Sequence, residues 1–208
     1  MDNYNKKILK AIDDFKNGKM VIVVDDKDRE NEGDFIISAE LCKSEDINFM
    51  MKEARGLICV SITNERAHSL KLSPMVSSST AVHETNFTVS IDAIKNATTG
   101  ISAKDRWQTV KVLMDDDAKP EDLGRPGHMF PLIAKEGGVL QRAGHTEAAM
   151  DLSILSGLKP GALLVEIVND DGTMARMPQL KKIAEKNNFN LISISDLIKY
   201  RRDNDKIV

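Results

Sequence analysis

The chain has 208 residues, 29% of them charged but with a net charge of only -3, which fits one domain with a full apolar core and excludes a basic nucleic-acid footprint. Two cysteines, Cys42 and Cys59, exclude a disulfide scaffold or a structural zinc cage, and no apolar run approaches the ~20 residues needed to span a bilayer. The polar N-terminal segment has no signal-peptide core, so a cytoplasmic protein is expected.

In chain order, Ile8, Leu9, Ile12 and Phe15 recur at helical spacing and predict a helix over 5–17 that stops at Gly18. Met20 to Val24 and Phe35 to Ile37 read as buried strands. The ten residues between them, 25–34, hold six carboxylates, two cations and one glycine. Crowded carboxylates are stable only if solvated, paired with Lys27 and Arg29, or neutralised by a hard cation such as Mg2+. A solvated acidic turn and a cation site are both open at this point. Ser44 predicts the cap of a helix over 45–55 ending at Gly56, followed by a strand over 57–62 and a short helix over 64–70. Residues 87–91 alternate as a strand, Ser102 caps a helix through Met114, and one or two strands are expected within 128–141 around Gly137-Gly138. A helix over 146–155 stops at Gly157. A strand over 162–168, a helix opened by Pro178, a strand over 191–194 and a helix from Asp196 complete the chain. Interleaved but not strictly alternating elements predict an α+β domain with a mixed sheet.

Three constellations carry candidate chemistry. Arg142-Ala143-Gly144-His145-Thr146 joins a guanidinium, a glycine amide and a hydroxyl to a helix start, which is what phosphate binding requires, although a capped turn with a surface Arg has the same sequence. Glu166 interrupts the apolar run 162–168. There it is either a buried carboxyl tuned for proton transfer or the exposed end of a strand. His128 follows turn chemistry at 124–127 and precedes an apolar run, so it projects into a cleft or lies exposed on a loop. The hydroxyls of 77–80 and the turn 98–100 are weaker signals. Cys59 and Trp107 read as packing residues.

Together these segments resemble the 3,4-dihydroxy-2-butanone 4-phosphate synthase family. The resemblance rests on Asp-Arg-Glu-Asn-Glu-Gly-Asp at 28–34, Arg-Gly-Leu-Ile-Cys-Val at 55–60, Thr-Gly-Ile-Ser-Ala at 99–103 and Arg-Pro-Gly-His-Met-Phe-Pro-Leu at 125–132. It continues through Gly-Gly-Val-Leu-Gln-Arg-Ala-Gly-His-Thr-Glu-Ala-Ala at 137–149 and Glu-Ile-Val-Asn-Asp-Asp-Gly-Thr-Met-Ala-Arg at 166–176, covering nearly the whole chain in order.

The resemblance implies conversion of D-ribulose 5-phosphate to 3,4-dihydroxy-2-butanone 4-phosphate and formate in riboflavin biosynthesis. Mg2+ is the implied cofactor, with Mn2+ as a substitute and room for two divalent ions per site. Glu30 and His145 are the implied metal ligands, and His128 and Glu166 the implied catalytic residues. Arg29, Glu30, Asp34, Arg142, Ala143, Gly144, His145, Thr146 and Glu166 are the implied substrate contacts. The implied fold is a three-layer sandwich around a mixed sheet, as a single domain over 1–208, in a homodimer with active sites near the subunit interface. Lys27 departs from the acidic residue common in the family. With two cysteines and six residues after the last predicted helix, a monofunctional synthase is expected, without the zinc-binding cyclohydrolase domain of some members. Competing readings are another Mg2+-dependent sugar-phosphate isomerase or aldolase-like lyase, and a catalytically silent sugar-phosphate binder.

Overall fold

Strand alternation divides the apolar residues between two cores. In β1 (Val21–Val24), Val21 and Val23 face one core while Ile22 and Val24 face the other. The same division holds in β2 (Gly33–Ser38), where Ile36 opposes Phe35 and Ile37. In β6 (Gly161–Glu166), Ala162 and Leu164 oppose Leu163 and Val165. Such strands read as continuous apolar runs because both faces are covered.

The computed structural model describes residues 3–205. With β3 (Cys59–Ile62), β4 (Ile91–Ala93), β5 (Leu123–Ile133) and β7 (Asn190–Ser193), the strands form a seven-stranded sheet in the order β4-β5-β3-β6-β2-β1-β7. The β3/β5 and β1/β7 pairs are parallel and the other pairs antiparallel, so the sheet is mixed.

Helices α1 (Asn3–Lys16), α5 (His145–Leu155) and α7 (Ile194–Asn204) cover one face through Ile8, Phe15, Ala148, Leu152 and Leu197. On the other face, α2 (Ser44–Phe49), α3 (Asn64–Ser69), α4 (Ala103–Met114) and α6 (Met177–Asn187) contribute Ile47, Ala67, Val110, Leu113 and Leu180. Each large side chain buried this way stabilises the fold by ~1.5–3 kcal/mol. The expected α+β, three-layer architecture is the one found.

Several boundaries differ from the sequence reading. The cap of α2 is Lys43, whose N–H donates to the Asp46 carboxylate at 2.8 Å, so Ser44 is the first helical residue. That helix runs into a π turn, Met50–Ala54, and stops at Arg55 in the left-handed region (φ 66°), one residue before Gly56. Residues 87–88 make only isolated bridges and the strand lies at 91–93, because pairing with β5 begins at Ile91. Gly137-Gly138 leads into a 3-10 turn, and β5 starts earlier than expected, at Leu123. Beyond Glu166 the chain leaves the sheet, with Ile167 and Val168 in isolated bridges.

Candidate active site

The acidic loop is built around Asp25. Pairing of Val24 with Gly33 closes β1 on β2 and leaves the carboxylates between them at the sheet's end. The buried Asp25 carboxylate accepts the N–H groups of Glu30 (3.0 Å) and Glu32 (2.8 Å) and the Arg29 guanidinium (3.0 Å). Arg176, at the start of α6, donates to the carbonyls of Glu30 (2.9 Å) and Asn31. The loop is therefore clamped and not merely solvated. Asp26, Lys27 and Asp28 face solvent, so the unusual Lys27 lies outside the site.

Asp34 and Glu166 lie directly opposite each other in the β2/β6 register. By strand alternation both share the face of Ile36 and Leu164, which is the face covered by α5. The first residue of α5, His145, is buried between them and the loop. Its Nδ1 faces Glu30 Oε2 at 3.6 Å and its Nε2 faces Asp34 Oδ1 at 3.9 Å, separations longer than hydrogen bonds. Asp34 Oδ1 and His145 Nε2 are buried with no hydrogen-bond partner among the described residues.

These groups perturb one another. The facing His145 imidazole, then the Arg29 charge, holds Glu30 down at about 2 against the opposing effect of burial. Burial raises Asp34 to about 7 despite the His145 charge, with Glu166 and Glu30 adding repulsion. Burial disfavours the imidazolium, but Asp34, Glu30 and Asp25 outweigh it and raise His145 to about 9. Burial, then the Glu30 charge, also raises Glu32. Burial pushes the Cys59 thiol well up, which keeps it neutral and unreactive.

A divalent cation fits this place. Ligand atoms of Asp25, Glu30 and His145 lie within 4.8 Å of one another. The Asp25 oxygens are taken by loop donors and Glu30 Oε2 pairs with Arg29 at 2.7 Å, so Glu30 and His145 could hold the ion with the other Glu30 oxygen and the orphaned Asp34 oxygen beside them. Carboxylates with an imidazole suit Mg2+ or Mn2+.

Ligation by His145 requires loss of its proton. Because its folded pKa lies above the ordinary value of 6.5, the imidazolium contributes stability that is full below 6.5 and lost as pH rises through about 9. Mg2+ affinity should accordingly fall as pH falls below about 9, by up to about tenfold per unit for one displaced proton. Calorimetric titration in two buffers of different ionisation heat checks this. A pH-independent affinity with no proton release between pH 7 and 9 would contradict it.

The same cavity, of about 140 Å³, is lined by Arg29, Glu30, Glu32, Asp34, Thr85, Arg142, His145, Thr146 and Glu166 over an apolar floor that includes Cys59, Leu132 and Leu164. Larger depressions of about 410 and 480 Å³ lie elsewhere, but among the described residues neither is lined by an unpartnered buried polar atom. Gly144 is the N-cap of α5 and has no side chain to occupy the free N–H groups of the first turn, which suits an anion. Ser61 Oγ donates to the Thr146 carbonyl at 2.8 Å and ties that turn to β3.

Arg142 is held more tightly than its sequence suggests. It donates to buried Glu147 (2.5 Å), to the His83 carbonyl (3.1 and 2.8 Å) and to Thr85 Oγ1 (3.1 Å). A guanidinium has five N–H donors, so one remains free. Arg142→Ala should weaken binding of a phosphorylated sugar about tenfold or more while barely changing that of the free sugar. Unchanged preference between phosphorylated and free ribulose, compared by KM, would contradict the assignment.

The expected site residues Arg29, Glu30, Asp34, Arg142, His145, Thr146 and Glu166 are thus brought together. Ala143 is exposed, and neither it nor Gly144, the N-cap of α5, lines the cavity. His128 does not line the cavity either. It lies on β5, 44% exposed, with Nδ1 2.7 Å from Asp92 Oδ2 and its N–H 2.9 Å from Asp92 Oδ1, a pairing that fixes the ring. In the turn 98–100 the Thr98 hydroxyl is engaged elsewhere, donating to Asp105 at 2.7 Å. Asp25, Asp92, Glu147 and Arg176 are site-organising residues that sequence reasoning missed.

The sequence profile of the family described as 3,4-dihydroxy-2-butanone 4-phosphate synthase matches residues 9–200. The riboflavin biosynthesis protein RibBA of Cytophaga hutchinsonii is 59% identical over 202 residues, 97% of this chain and 50% of that protein, so the chain spans about half the length of the curated relatives it matches. Among solved structures, a 3,4-dihydroxy-2-butanone 4-phosphate synthase in complex with two magnesium ions superposes with a TM-score of 0.92 at 39% identity, covering 97% of this chain and 99% of that one. RibBX of A. baumannii, a two-domain synthase, gives 0.92 at 46% identity, over 96% of this chain and 59% of its own. The chain belongs to the 3,4-dihydroxy-2-butanone 4-phosphate synthase family of riboflavin biosynthesis.

Proposed function

We propose that the protein is a carbon–carbon lyase that converts D-ribulose 5-phosphate to L-3,4-dihydroxy-2-butanone 4-phosphate and formate with Mg2+. The observation that carries this reading is the orphaned pair, Asp34 Oδ1 and His145 Nε2, buried beside Glu30 at the uncapped start of α5. A buried polar pair without partners is costly unless a ligand completes it. The phosphate end sits on the first turn of α5, with Thr146 and the remaining Arg142 donor. Arg29 and Asp34 contact the sugar.

Enolisation of a ketose and loss of a one-carbon unit need proton transfer at several carbons. Glu166 moves protons at the cavity wall. His128, whose ring is fixed by Asp92 outside that cavity, is assigned the second catalytic role by the family resemblance and not by its position. When bound by Glu30 and His145, a divalent ion supplies charge stabilisation to substrate oxygens. Mn2+ is an acceptable substitute, and two ions per site are supported by the related structure that holds two magnesium ions.

The single synthase domain over 1–208 is supported by the family match to 9–200. A homodimer is supported by exposed apolar side chains, among them Val82, Ile94 and Ile101, and light scattering tests it. A cytoplasmic location agrees with two buried free cysteines. No helix among the described residues is long and apolar enough to cross a membrane.

The functional test is incubation with ribulose 5-phosphate and Mg2+ and assay of formate. One formate per four-carbon phosphate is expected. Consumption without formate favours the isomerase or aldolase reading, and binding without consumption the silent binder.

A further inference from the structure

The segment Arg55-Gly56-Leu57 has no role in the metal or phosphate chemistry, yet it is locked against the end of β6. The Leu57 N–H donates to Glu166 Oε2 at 2.9 Å. A Cβ at Gly56 would lie 2.4 Å from the Glu166 carbonyl oxygen, 2.9 Å from its nitrogen and 2.7 Å from Oε2. No real Cβ is found that close to backbone, so only glycine lets the two segments meet here. Arg55 holds a left-handed conformation (φ 66°) that glycine would adopt more easily. Its side chain explains its presence there, since the guanidinium donates to the Val168 carbonyl (3.0 Å), the Asp170 carboxylate (2.5 Å) and the Glu53 carbonyl (3.2 Å). The Val168 N–H returns a bond to the Ala54 carbonyl at 2.8 Å.

We propose that Arg55-Gly56-Leu57 is a positioning element for Glu166, in which the Arg55 clamp and the bare Gly56 bring the Leu57 amide onto one carboxylate oxygen and fix the orientation from which Glu166 exchanges protons. This rests on the reading of Glu166 as the proton-transfer group. A long Glu side chain at a strand end has several rotamers, and a bond from a rigid amide to one oxygen selects among them. Within the segment only Leu57 lines the cavity, and neither Gly56→Ala nor an ester at residue 57 changes the Leu57 side chain, so the effect of either falls on turnover and not on substrate binding.

The test is kcat and KM for formate release from ribulose 5-phosphate with Mg2+ for Gly56→Ala, beside Glu166→Gln. Gly56→Ala should lower kcat tenfold or more with KM within about twofold. A kcat within twofold of wild type, or a KM that rises as kcat falls, would overturn the proposal. If Gly56→Ala shows no cooperative melting, replacing the Leu57 amide with an ester decides by the same KM criterion. It removes the donor without adding an atom and should lower kcat about tenfold, and an unchanged kcat overturns the proposal. Glu166→Gln separates the two claims. If it retains wild-type turnover, the proton-transfer reading itself fails. If it is inactive while Gly56→Ala or the ester is normal, only the positioning role fails.

Discussion

Glu166→Gln is expected to lower formate release by about 10²–10⁴-fold while melting temperature and ribulose 5-phosphate affinity stay close to wild type. Glutamine is nearly isosteric and its amide oxygen can still accept the Leu57 N–H, but it cannot exchange a proton with substrate. The β2/β6 register keeps residue 166 opposite Asp34 whichever side chain is present. Replacing the charge should also ease the repulsion that contributes to the raised Asp34 pKa, so no large loss of stability follows. A structural Glu166 would behave in the opposite way, with a lower melting temperature and a near-normal rate in the fraction still folded. Melting temperature, affinity and formate release measured on one preparation separate the two.

Exhaustive chelation should abolish turnover, Mg2+ should restore it, and Mn2+ should substitute. The effect should also be visible without catalysis, because the ion completes a site in which Glu30, Glu32, Asp34 and Glu166 repel one another. A ligand at about 100 times its Kd stabilises a fold by about 2.7 kcal/mol, which for a domain of this size raises the melting temperature by roughly 5–10 °C. His145→Ala should remove that Mg2+-dependent shift. Full turnover at negligible metal content, or an undiminished shift in His145→Ala, would contradict the ligand assignment.

The sheet's centre was legible because its strands are buried on both faces and read as unbroken β-branched runs. The edges were not. Strand β4 is three residues long, and β5 passes through Gly124-Arg125-Pro126-Gly127, whose turn chemistry argues against a strand and across which the register with β4 jumps from Met129 to Gly124.

In the site, the residues whose chemistry contradicts their local pattern were readable, and Glu166 in an apolar strand is the clearest. Asp92 carried the same signal, a carboxylate within Val89-Ser90-Ile91-Asp92-Ala93, and could have been found by the same argument. Glu147 could not. At the third position of a helix it looks like an ordinary first-turn acid, and its burial comes with tertiary partners, the Arg142 guanidinium and the Lys135 N–H, that no local pattern shows. Arg176 lies 146 residues from Glu30 in sequence, and no local pattern announces that pairing. Asp25 looked like one carboxylate among six, because its role depends on the curvature of the loop that closes around it.

The most direct test of the account is a crystal of the protein with Mn2+ and ribulose 5-phosphate, with the metal located by its anomalous scattering. The account predicts a peak at about 2.0–2.3 Å from a Glu30 carboxylate oxygen and a His145 ring nitrogen, with the substrate phosphate on the first-turn N–H groups of α5. Mn2+ bound away from both residues, or a phosphate seated away from α5, would contradict it.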